Sequence, residues 1–123
     1  MDYHFWRKNL PMMLLQIYFG VCAQKTDAFE KMYSESYVPA LKKQQGYIGS
    51  KLLRLFPAEV AAEIQASPTE FNYTMELVFD TEENRRRWAA SEEHSVVWPL
   101  AAEMAQKVAW RGFNVVGDDG QNP

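Results

Sequence analysis

The stretch FNYTMELVF, residues 71–79, alternates without a break: Phe71, Tyr73, Met75, Leu77 and Phe79 are large and apolar, with Asn72, Thr74, Glu76 and Val78 between them. Successive side chains of a strand point to opposite faces, so this period of two predicts a β-strand with one apolar and one mostly polar face. That strand constrains everything around it. An apolar sheet face has to be covered by a second layer, and the remaining sequence has to supply it.

Helical and strand patterns flank it on both sides. MLLQIYFGVC, residues 13–22, is a short apolar run with β-branched and aromatic members and predicts a first strand. In KTDAFEKMYSESYVPALKKQQG, residues 25–46, Phe29, Met32, Tyr33, Ser36 and Tyr37 recur at spacings of three and four, which predicts an amphipathic helix. Thr26 is the expected N-cap, Gly46 the stop and Pro39 the site of a kink. GYIGSKLLRLF predicts a second strand, and PAEVAAEIQASP opens a local insertion over residues 57–70. After the alternating strand, Thr81 with Glu82 and Glu83 starts a second helical region that runs to about Gln106, and KVAWRGFNVV predicts the last strand.

The order is β-α-β, an insertion, then β-α-β. This is an α+β chain of the ferredoxin-like arrangement, an antiparallel sheet with both helices on one face, in a single domain over residues 13–116. Residues 1–12 read as a flexible or docking arm without the apolar core of a signal peptide, and residues 117–123, GDDGQNP, as a flexible tail. The sheet face opposite the helices, carrying Leu14, Gln16, Tyr18, Asn72, Thr74 and Val78, also needs a cover. A second copy is the expected one, giving a homodimer that closes into an α/β barrel.

Composition removes several functions. The formal charge is −3, and the one basic cluster, Arg85 to Arg87, sits directly behind Glu82 and Glu83, which argues against nucleic acid as a partner. No apolar run approaches the roughly 20 residues that cross a membrane. A single cysteine, Cys22, excludes an internal disulfide and suits a cytoplasmic setting, while histidines at positions 4 and 94 offer no metal-ligand spacing. No metal is expected.

WAASEEHSVVWP, residues 88–99, concentrates the side chains suited to chemistry, with two of the four tryptophans and one of the two histidines. On a continuous helix Trp88 and His94 would point about 120° apart, so only a bend brings both into one cleft. Pro99 predicts that bend, with SEEHSVV as the joint and a new helical piece near Trp98. His94 is then either a base facing the cleft or a residue packed at the bend, Trp88 is core, and Trp98 is a cleft wall. Tyr73 and Trp110 are each either core or cleft. Arg111 is expected on the opposite face, where it could pair with Glu76 across the dimer face, and one arginine of the run Arg85 to Arg87 could reach an anionic substrate.

The strand YTMELVFD, the helix start TEENRRRWAASEEH and the closing AWRGFNVV resemble the antibiotic biosynthesis monooxygenase family of the dimeric α/β barrel superfamily. The resemblance covers roughly Met13 to Val116 without the insertion, and is strongest in FDTEENRRRWAASEEH. There the family has a strand ending in an aromatic, an acid-capped helix with a buried Trp, and a Ser-x-x-His pair, which correspond to Phe79, Trp88, Ser91 and His94. The resemblance implies a homodimer with a cleft between helices and sheet in each subunit. It implies oxidation of aromatic phenols by molecular oxygen, with no cofactor, neither metal nor flavin. On that reading His94 is catalytic, and Trp98, Tyr73, Trp110 and Phe79 contact a small aromatic ligand. Two other readings stand beside it: a non-catalytic binding or assembly module whose cleft is filled by Trp88, Trp98 and Tyr73, and haem binding or degradation. Against haem, Phe79 stands where haem-degrading relatives carry a Trp.

Overall fold

A computed structural model describes residues 12–120. Strand β1 (Met13–Val21) leads into helix α1 (Thr26–Met32), which passes through a π-helical turn (Tyr33–Tyr37) into α2 (Val38–Lys42). Then come β2 (Tyr47–Arg54), α3 (Ala58–Glu63), β3 (Tyr73–Phe79), α4 (Glu82–Ala89), α5 (Glu92–Met104) and β4 (Ala105–Asn114). The four strands form one antiparallel sheet in the order β2-β3-β1-β4, the ferredoxin-like topology. Of the expected arm, residues 1–11 lie outside the described residues, and Met12 is buried against the domain. In the tail, residues 121–123 also lie outside them.

The alternating strand sets the core. Tyr73, Met75, Leu77 and Phe79 of β3 are buried beside Ile17, Phe19 and Val21 of β1, and Phe29, Tyr37, Leu41, Trp88, Val97 and Ala101 cover them from the helices. Each fully buried large side chain contributes about 1.5–3 kcal/mol relative to exposure, so this two-layer contact dominates stability.

Pro39 disturbs the first helix as expected, but by widening it. Proline lacks an amide hydrogen and its ring crowds the carbonyl four residues earlier, so the α-helical ladder opens into the π-turn just before it. Thr26 is not the N-cap: it is the first residue of α1, and its Oγ1 donates to the Ala23 carbonyl at 3.2 Å. Gly46 stops the segment with φ +79°, and a Cβ there would strike the side chains of Asp80 and Asn84.

The second helical region breaks at the first residue of the expected joint, Ser91, and not along the rest of SEEHSVV or at Pro99. The interruption falls at Ala90 and Ser91, and α5 then runs unbroken through Pro99. Ser91 is the cause. Its Oγ accepts from the His94 amide at 3.1 Å and donates to the Trp88 carbonyl at 2.7 Å, so one hydroxyl ends α4 and starts α5. Pro99 removes one amide from the ladder, a cost that packing of Val97 and Ala101 into the core offsets. Because α5 ends at Met104, β4 begins two residues before the predicted strand.

On the face away from the helices, Leu14, Gln16 and Tyr18 lie beside Thr74, Glu76 and Val78, and beside Ala109, Arg111 and Phe113. Gln16 stands between Arg111 and Glu76 in the register, so those two do not pair within the chain. Gln16 Nε2 donates to Glu76 at 2.8 Å, and the Arg111 guanidinium lies 5.7 Å from the centre of the Tyr18 ring. Asn72, expected on this face, instead exchanges hydrogen bonds of 2.8 and 2.7 Å with the Val21 backbone. Among the described residues, no helix is long and apolar enough to cross a membrane.

Candidate functional site

The break at Ser91 redirects the chain so that Trp88, at the end of α4, and His94, in the first turn of α5, face each other. Their ring centres are 5.0 Å apart and nearly perpendicular, at 86°. Four residues on from His94, one helical turn, Trp98 lies parallel to it at 6.1 Å and 9°. Trp110 crosses in from β4 and meets Trp98 edge to face at 6.0 Å. Under these rings, Leu15 and Ile17 of β1 form the floor of a cavity of about 240 Å³. A cavity of about 150 Å³ is enough to hold benzene, so this one has room for more than a single ring.

Among the described residues, His94 and Arg85 bring polar groups to an otherwise apolar wall, and Tyr37 packs behind it with no exposed surface. Desolvation holds the His94 pKa below the ordinary histidine value, so the ring is neutral at pH 7 and able to accept a proton. Tyr37 is fully buried and packs against Trp88 at 5.8 Å, and its hydroxyl has no hydrogen-bond partner among the described residues. Burial pushes that phenol's pKa far up, so it is a donor that stays protonated. A buried hydroxyl without a partner costs stability. Among the described residues, no cluster of histidine, cysteine or carboxylate side chains is arranged to hold a metal. A broader groove of about 480 Å³ between α2 and α5, lined by Pro39, Lys43, Glu93 and Val96, has no such buried polar group.

His94, Trp98 and Trp110 therefore share one cavity, with Trp88 serving as both core and wall. Tyr73 and Phe79 lie elsewhere. Tyr73 is turned toward α1, where its hydroxyl donates to Glu30, which also receives Arg54 at 2.7 and 2.8 Å. Phe79 is buried against Tyr47 at 5.8 Å. Both belong to the helix-facing stripe of β3, which lies one strand further from β4 than the cavity floor does. Sequence reasoning gave Tyr37 no role. Its signal was a hydroxyl inside an apolar helical stripe, a place where a polar atom needs a partner.

No family model and no curated protein sequence matches the chain. Solved structures do match it in fold. A hydroxynitrile lyase from Passiflora edulis superposes with a TM-score of 0.71 at 9% identity, over 93% of this chain and 99% of that one. The chain has the same ferredoxin-like fold. A cofactor-independent oxygenase from Streptomyces nogalater, SnoaB in a mutant form, matches with a TM-score of 0.66 at 12% identity, over 91% of this chain and 99% of that one. A haem-degrading protein from Mycobacterium tuberculosis matches with a TM-score of 0.65 at 18% identity, over 92% and 100%. This is the fold that the resemblance to the antibiotic biosynthesis monooxygenases implied. It is shared by a lyase, an oxygenase and a haem-degrading protein, so the chemistry has to be read from the cavity.

The depressed His94 pKa predicts how stability responds to acid. Above the unfolded value of about 6.5 the ring is neutral in both states. As pH falls below it, the unfolded chain takes up the proton before the folded one does, and folding stability declines through the folded pKa. Urea midpoints measured at pH 7.5 and 5.5 should fall less in His94→Gln than in the wild type. An equal fall in both would show that His94 is not desolvated.

Proposed function

We propose that this protein is a cofactor-independent oxygenase of a small phenolic compound, with His94 as its base and Trp98 and Trp110 as walls that hold the substrate ring. The observation that carries this reading is a neutral imidazole in an aromatic-walled cavity. The resemblance to the antibiotic biosynthesis monooxygenases and the fold shared with a cofactor-independent oxygenase support the reaction class.

In this reaction His94 removes a proton from the activated substrate, and the electron-rich anion that results reduces molecular oxygen. One oxygen atom becomes a carbonyl on the ring carbon. The other leaves as water with two hydrogens, both from the CH2 carbon of an anthrone or, in a phenol, one from the ring C–H and one from the hydroxyl. The protein binds the ring, takes the proton and stabilises the oxyanion through hydrogen-bond donors, none of which needs a redox group.

The assembly-module reading requires a cleft filled by Trp88, Trp98 and Tyr73, and a cavity of about 240 Å³ favours a ligand site instead. That volume is below the roughly 300–1,000 Å³ of pockets for drug-sized ligands, which gives haem no support. The half-apolar outer sheet face, with Leu14, Tyr18, Val78 and Phe113, supports a homodimer closed through two such faces, and the single cysteine suits a reducing compartment such as the cytoplasm.

Oxygen uptake with anthrone and with naphthoquinols as substrates tests the reaction. The wild type should exceed the buffer rate, and His94→Ala should lose about a hundredfold or more, the range for a general base. No protein-dependent uptake with either substrate would overturn the oxygenase, and full activity in His94→Ala would overturn the role of His94. Sedimentation equilibrium should give twice the 14.3 kDa chain mass, and a monomer at micromolar concentration would remove the dimer.

A further inference from the structure

Arg85 is set apart from its neighbours. Arg86 and Arg87 have 69% and 57% of their side chains exposed, as surface arginines do, while Arg85 has 25% and forms part of the cavity wall. Among the described residues it carries the one formal charge in that wall at neutral pH, because His94 is neutral and none of the carboxylates among them lines the cavity. Among the described residues its guanidinium contacts the protein through Nη2 alone, to Glu82, one turn earlier on α4 and outside the cavity wall. A guanidinium has five N–H donors, so most of its capacity faces no acceptor among those residues. A site that offers a cation between aromatic walls is complementary to a flat molecule carrying an anion.

We propose that the cavity selects a hydroxylated aromatic carboxylate of about two fused rings, its carboxylate held by Arg85. This rests on the cavity's being the substrate site, and it adds the class of substrate. Arg85 anchors the molecule, and its remaining N–H donors face the charged end of the ligand. Glu82 competes with the ligand for the same guanidinium, which keeps Arg85 paired while the cavity is empty.

Equilibrium binding read by quenching of tryptophan fluorescence tests this without depending on turnover. The probes are 6-hydroxy-2-naphthoate, its neutral isostere 6-hydroxy-2-naphthamide, and 2-naphthoate, which lacks the hydroxyl. The wild type should bind the hydroxy acid at least about tenfold more tightly than the amide, as expected for a charge-assisted hydrogen bond. Arg85→Gln should erase that ratio and Glu82→Gln should raise it. 2-Naphthoate, which keeps the carboxylate and lacks only the hydroxyl, should show the same dependence on Arg85. A ratio near one in the wild type, or a ratio that survives in Arg85→Gln, overturns the proposal. Tight binding of the amide would then still support an aromatic site. Failure of all three probes would overturn both the proposal and the cavity's assignment as the substrate site.

Discussion

The site depends on one hydroxyl. Ser91 Oγ closes α4 by donating to the Trp88 carbonyl and opens α5 by accepting the His94 amide, and in doing so it replaces a continuous helix with a corner. Without the corner, Trp88 and His94 would diverge by about 120° around one helix axis. With it, their rings meet at 5.0 Å, Trp98 falls in line one turn later, and a cavity opens over β1 and β4. Core and site are thus built from the same residues: Trp88 is 2% exposed and still supplies a wall.

Much of the fold was legible in the sequence because it is written in periods. The alternation holds over Tyr73–Phe79, where it marks β3 and its buried face, while Phe71 falls outside the strand and packs on Tyr18 of the outer face; the two β-α-β units mark the class of the sheet. Local chemistry was harder to rank. Both Pro39 and Pro99 are helix breakers by type, yet the first disturbs its helix and the second sits inside one. What decides is the surroundings: a competing cap at Ser91 already supplies the break, and buried Val97 and Ala101 hold α5 together around its proline.

The site was legible in part for the same reason. His94, Trp98 and Trp110 are conspicuous residue types, and they converge. Tyr73 and Phe79 share their polarity and periodicity, but which part of the covered sheet face is left open as a cavity depends on how α4 and α5 pack over it, and periodicity does not display that packing. Tyr37 was hidden because it looks like core. It is core, apart from one oxygen atom with nothing to bond.

The central claim is that His94 sits neutral in a cavity open to an aromatic ligand. It is tested most directly by NMR of protein carrying carbon-13 in its histidine rings, titrated with pH before and after 2-naphthol is added. The account predicts that the His94 ring titrates below the ordinary value of about 6.5 and that its signals move when the naphthol binds. A ring that titrates normally and ignores the naphthol would contradict it.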